Sequence, residues 1–186
     1  MRALSTNSRA ILLTVLRGLL PALLLGVLAP LAVPAPAGAA VKVIDDGAEA
    51  SLPARMDILT VRIDNRLDRV VLKITFRDLV EHQRSRTKVF IGTDPGSDAG
   101  FIAYSRHRPG DVPLTQLWLP TDQEFGGTPI ACEGIRGRWR FDRDRVKIVV
   151  PQACLASTAD RYRFKAVAGF YRNVGDWTAF RSVARG

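Results

Sequence analysis

The sequence is short of the groups from which most active sites are built. Two histidines and two cysteines stand among 186 residues, and they form no His/Cys set with the spacing of a zinc site. Gly96–Gly100 reads GSDAG, so the G-x-S-x-G nucleophile motif is missing, as is the strand–turn–helix that would carry it. Paired carboxylates for glycoside cleavage need a cleft that no segment marks out. His82 and His107 lie in the charged segments EHQRSR and SRHRPG, which read as exposed loops. One hydrolase arrangement stays open, Ser97 with His107 and Asp94 or Asp98, beside the plainer reading of two solvated imidazoles. No cofactor is implied, and no DNA- or RNA-binding motif appears, so a nucleic-acid partner is not expected.

Acidic residues are missing from the first 39 positions, and that absence has a pattern. Residues 1–17 carry Arg2, Arg9 and Arg17, residues 18–33 (GLLPALLLGVLAPLAV) are almost wholly apolar, and the small-residue stretch PAPAGAA follows. Basic, apolar and small in that order is the layout of a secretory signal helix, with Ala37-Gly38-Ala39 directing cleavage after Ala39, or after Ala40 one residue on. The competing reading is a membrane anchor. Sixteen apolar residues interrupted by Pro21 and Pro30 fall short of the ~20 that span a bilayer, so no stable span is expected after cleavage. No twin-Arg pair precedes the apolar run and no Cys follows it, which points to the general secretion route without lipid attachment. The expected division is a signal peptide over 1–39 and one domain over 40–186. Net charge falls from +9 to +6 when the three signal arginines leave.

Cys132 and Cys154 fit an exported, oxidising environment, where an even pair reads first as a disulfide. Two free thiols or half a metal site are the alternatives.

Long apolar runs at helical spacing are also missing after Val41, whereas alternation with period two recurs. In RVVLKITFRDL the positions Val70, Leu72, Ile74 and Phe76 are apolar and Lys73, Thr75 and Arg77 alternate with them. DILTVRIDN behaves alike, with Leu59, Val61 and Ile63 expected inward, and Asn65–Asp68 joins the two as a turn. Further strands are expected at Lys88–Thr93, Phe101–Arg106, Val112–Leu119, Ile135–Phe141, Arg145–Val150 and Arg161–Gly169, and a last one near Trp177–Val183. Pro120–Ala131 reads as a surface loop, and helix is confined to a turn around Gln152–Ser157. The class predicted is all-β, an antiparallel, jelly-roll-like sandwich of about eight or nine strands.

Alternation also distributes the charge. Arg136, Arg138 and Arg140 point away from Ile135, Trp139 and Phe141, and Arg145 and Lys147 continue the basic side past the Asp142–Asp144 turn. Arg161 and Arg163 repeat the pattern later. If these strands are sheet neighbours, one face is a basic stripe suited to anionic polymers. A solvated face whose cations guard exposed strands is the other reading. Among the aromatics, Trp118 and Trp139 fall in phase with apolar neighbours and read as core, leaving Tyr171 and Trp177 as candidate sugar-stacking rings. Asp45, Asp46, Asp57, Asp94 and Asp98 are oxygen donors for a Ca²⁺ site, or turn-forming residues.

The stretches MDILTVRIDNRLDRVVLKITFRDL, VFIGTDPGSDAGFIAYSR and CEGIRGRWRFDRDRVKIVVPQACL cover most of residues 56–155. In their order and motifs they resemble a group of secreted actinobacterial β-sandwich proteins, and more distantly the jelly-roll sandwiches of the carbohydrate-binding and DOMON-like kind. Thr93-Asp94-Pro95 and the paired Cys132 and Cys154 are the most specific elements of the likeness. It implies export and a sandwich fold, and it carries over no catalytic residue.

The function expected from the sequence is a secreted, non-enzymatic binding or cell-envelope-associated module, with anionic or cell-wall polysaccharide as its partner. A small extracellular hydrolase and a structural domain without a ligand are the alternatives. Nothing in the sequence sets the oligomeric state.

Overall fold

The computed structural model describes residues 40–93, 100–122, 126–155, 159–169 and 175–186, so the segment expected to be a signal peptide lies outside the described residues. Among the described residues, eleven strands fall into two antiparallel sheets. The first holds β1 (Ala40–Asp45), β2 (Ile58–Asn65), β3 (Arg69–Phe76), β8 (Arg136–Arg140) and β9 (Arg145–Pro151), in the order β1-β2-β3-β9-β8. The second holds β4 (Ser85–Gly92), β5 (Phe101–His107), β6 (Leu114–Pro120), β7 (Gly127–Ile130), β10 (Arg161–Ala168) and β11 (Arg181–Ala184), in the order β11-β10-β4-β5-β6-β7. The chain therefore changes sheet three times, after β3, β7 and β9. Among the described residues no helix is long and apolar enough to cross a membrane.

The core is the meeting of the two inner faces. Val61, Ile63, Leu72, Ile74, Val146 and Ile148 from the first sheet pack against Val89, Ile91, Ala103, Leu117, Phe164 and Ala166 from the second, all fully buried. Burying a side chain of the Val, Leu, Ile or Phe type contributes about 1.5–3 kcal/mol, so these faces drive the sandwich together. The alternation predicted for Val70–Phe76 holds from Leu72 to Phe76, whereas Val71, in the outward phase, is buried as well. In β2 it breaks at one end: a register shift between Ile58 and Thr60 puts Ile58 in the core and leaves Leu59 half-buried.

Two strands escaped the sequence reading. β1 is a mostly exposed edge strand whose apolar residues do not alternate with burial, and β7 lies within the segment expected to be a loop. Pro129 is accommodated in β7 because β7 is an edge strand with one unpaired side. β6 begins at Leu114, and Val112, expected within a strand, is 90% exposed in the preceding loop. Near the carboxyl end only Arg181–Ala184 forms a strand, and Trp177 makes an isolated bridge to Val167. The expected turn after β9 is a 3₁₀ turn over Gln152–Leu155.

Cys132 and Cys154 form a disulfide with their Cα atoms 5.4 Å apart. It ties the chain between β7 and β8 to the 3₁₀ turn after β9, so a covalent link spans the return from one sheet to the other. At one end of the sandwich the sheets meet through small polar groups. The Trp139 indole N–H donates to Ser105 Oγ at 3.0 Å, and a Cβ on Gly137 would collide with Thr115 Oγ1. That contact explains a glycine in the middle of β8.

Candidate functional site

The predicted basic stripe is divided by the topology. Arg136, Arg138, Arg140, Arg145 and Lys147 share the outer face of the first sheet, but β10 belongs to the second sheet, which removes Arg161 and Arg163 from that face. Alternation shows that a strand's residues share a face; it carries no information on which strands are neighbours.

The face that remains is more ordered than the sequence suggested. Register pairs Arg138 with Lys147, Lys147 with Lys73, and Lys73 with Arg62. Four cations thus stand in one line across β8, β9, β3 and β2, perpendicular to the strands and stepping by the interstrand spacing of ~4.8 Å. None of the four makes an ion pair or side-chain hydrogen bond among the described residues. On one side the row is flanked by Arg140, Arg145, Thr75 and Thr60, on the other by Arg136, Val149, Val71 and Asp64. Lys73 and Arg62 were missed because their strands lie some seventy residues before β8, and only pairing brings them alongside.

The nearby acids lie at the margins of the row, and Asp64 attracts Arg62 and Lys73 at one end of it. Asp64 accepts from Arg66 Nη2 at 2.5 Å, and that bond, the largest influence on it, holds its carboxyl below the usual range despite partial burial. Asp142 accepts from Arg140 Nε and Nη2 at 2.9 and 2.8 Å, which lowers its carboxyl to about 2. Arg140 is therefore committed within its own turn.

The outer face of the second sheet carries the aromatics. Trp177 is 49% exposed there, with Lys165 Nζ 5.8 Å from its ring centroid, whereas Tyr171 lies outside the described residues. Trp118 is not core: Leu117 takes the inward position in β6, and Trp118 turns outward to meet Tyr104, ring centroids 4.3 Å apart. The sequence misled because β6 has apolar residues in both phases, so alternation could not choose between them. Lys88 Nζ lies 5.9 Å from the Tyr104 ring and 5.4 Å from the Trp118 ring. Burial, and then the neighbouring Arg86, push the Lys88 amine down to about 8. Trp139, in contrast, is buried as expected. Arg163 and Lys165 lie on this same outer face, each within cation–π reach of Phe180.

His107 is a correction. It ends β5, only 6% exposed, with Nε2 2.6 Å from the Glu81 carbonyl oxygen and its ring packed on Phe141 and Trp139. Ser97, Asp94 and Asp98 lie outside the described residues. His82 is exposed as expected.

The aspartates separate too. Asp45 faces outward on β1, while Asp57 is fully buried and consumed as an acceptor: it takes the Glu49 N–H at 3.1 Å and pairs with Arg77 at 3.2 Å. Among the described residues no three His, Cys, Asp or Glu side chains are placed to hold a metal ion. A fourth acid, Asp176, comes close to Asp46 and Glu49 from the far end of the chain and accepts the Ile58 N–H at 2.6 Å. Burial, opposed by that hydrogen bond and reinforced by the charges on Asp46 and Glu49, pushes its carboxyl up to about 6.

A stability signature follows. The folded protein keeps a proton on Asp176 up to about pH 6, whereas an unfolded aspartate releases it near 3.8. Between those values the folded state binds more protons, so this group's contribution is full below 3.8 and is lost as pH rises through about 6. The expected loss is roughly 3 kcal/mol. Asp176→Asn retains an acceptor for Ile58 and removes the titration, so urea unfolding of both proteins across this range should show wild type losing stability relative to the variant. Parallel curves would refute the assignment.

The fold and its two decorated faces define a disulfide-linked antiparallel β-sandwich with a cationic row on one outer face and an aromatic–basic surface on the other. No protein-family model matches this chain, and no curated protein or solved structure matches it either.

Proposed function

We propose that the protein is an exported, non-enzymatic β-sandwich module that binds anionic polysaccharide of the cell envelope through the outer face of its first sheet. One observation carries the reading: the line Arg62, Lys73, Lys147 and Arg138 crosses four adjacent strands in register with no carboxylate among them. Like charges directly opposite on neighbouring strands are destabilising. Edge protection does not account for them, because β2, β3 and β9 are interior strands and only β8 is an edge. A line of positive charge at regular spacing suits a linear polyanion lying across the strands, which gains from every charge at once. The signal-like amino end, the disulfide and the resemblance to exported sandwich proteins support the same setting.

The test is retention on immobilised anionic polysaccharide, a heparin-like or uronic-acid matrix, beside neutral cellulose and chitin. Retention on the anionic matrices that is eluted by salt is expected, since exposed charges are screened beyond roughly 10 Å at about 0.1 M salt. Absence of retention on every anionic matrix at low salt would leave a structural domain without this ligand.

A further inference from the structure

The chain holds a second concentration of arginine that the row does not include. At the Ser85–His107 end of the β4–β5 pair, Arg84, Arg86, Arg106 and Arg108 line a cavity of about 190 Å³ together with Tyr104. Arg86 and Arg106 are direct cross-strand partners, and Arg84 and Arg108 lie two residues further out, just beyond the ends of β4 and β5. Ser85 and His107, which also border the cavity, occupy the alternate phase, and the His107 ring packs on Trp139 of β8 and on Phe141 in the turn that follows it. The guanidinium-bearing residues are therefore on the outer face of the second sheet, opposite the cationic row.

Three properties make this corner a receptor and not merely a charged surface. Arg84, Arg106 and Arg108 have no ion pair or side-chain hydrogen bond among the described residues, so their donors are uncommitted. Arg86 is anchored by its Nε–H to the Gly169 carbonyl at 2.6 Å, which holds its positive charge at the cavity wall before any ligand arrives. The cavity equals the share of about six waters at ~30 Å³ each, room for one tetrahedral anionic group.

We infer that this cavity binds a phosphate monoester. Planar guanidinium forks match the oxygens of a tetrahedral phosphate two at a time. A monoester brings a charge of about −1.5 to −2 near neutral pH, which answers four cations better than the single charge of a phosphodiester, sulfate ester or carboxylate. The site is independent of the proposed polysaccharide face, since no residue is shared.

The test is titration of the purified protein with inorganic phosphate, glycerol 3-phosphate and dimethyl phosphate near neutral pH and at constant ionic strength, following arginine Nε–H signals by NMR. Saturable shifts at Arg86 and Arg106 are expected with the first two probes, and dimethyl phosphate should bind at least about tenfold more weakly. Arg108→Gln and Arg84→Gln, both at exposed positions that carry no packing, should each weaken glycerol 3-phosphate at least about tenfold. Arg138→Gln on the opposite sheet should bind it as wild type does, so failure here and failure of the polysaccharide reading are separately visible. Phosphate shifts no more saturable than those of added chloride, equal affinity for dimethyl phosphate, or unchanged affinity in both arginine variants would each overturn the inference.

Discussion

Lys147→Glu is expected to make the protein more stable and to reduce its retention on anionic polysaccharide at least about tenfold. Lys147 stands between Arg138 and Lys73 with no acid beside it, so its charge is opposed from both neighbouring strands. A glutamate there replaces two repulsive cross-strand pairs with two attractive ones, each worth roughly 0.2–1 kcal/mol. A total near 1 kcal/mol raises the melting temperature of a domain this size by roughly 3 °C. The gain should shrink at high salt, because the position is exposed and screened. For a polyanion lying on the row, the same change removes a favourable charge from its centre and inserts a repulsive one. Thermal melts at low and high salt, paired with the salt gradient that elutes each protein, give both quantities. A stabilised variant that still binds would show that the row is not the docking face; a destabilised one would show that Lys147 has a structural part in the sheet.

Loss of the disulfide carries the largest expected effect on folding. Cys132 and Cys154 are 22 residues apart, and closing a loop of that length removes roughly 3 kcal/mol of chain entropy from the unfolded state. The bond joins the segment leaving the second sheet to the turn that follows β9, so β8 and β9 form a closed loop. β8 is the sheet edge and carries Arg138, which makes it the strand most dependent on that closure. Replacing both cysteines with alanine should lower the free energy of unfolding by about 3 kcal/mol in denaturant titrations. Polysaccharide retention should fall with it at temperatures where the edge strand frays. A double variant as stable as wild type would mean that packing of β8 alone holds the edge.

How much could be read in advance depended on whether a feature was local. The β2–β3 hairpin was legible because Val61, Ile63, Leu72 and Ile74 alternate cleanly with polar residues and a short turn joins them. β7 was hidden because its four residues include Gly127 and Pro129 and lack strand-like alternation; the edge of an existing sheet recruits it. Trp118 went to the wrong side because Leu114, Leu117, Trp118 and Leu119 supply apolar residues in both phases, and Leu117 fits the core against Ala103. His107 was read as solvated from its charged neighbours, yet it occupies the core-facing phase of β5 while Arg106 and Arg108 stay outside.

The charge shows the division most clearly. By itself the sequence determined that the chain is basic, that its arginines alternate along strands, that the cysteines are an even pair, and that a two-sheet all-β core would form, since each of these depends on composition or on neighbours two residues apart. Only the tertiary structure decided which cations meet. It drew Lys73 and Arg62 up beside Arg138 and Lys147, sent Arg161 and Arg163 to the other sheet, and closed Arg84, Arg86, Arg106 and Arg108 around one cavity. The reason is that strand order and register are fixed by long-range burial of the opposite faces, and the charged faces are carried into place by that core without selecting the arrangement themselves.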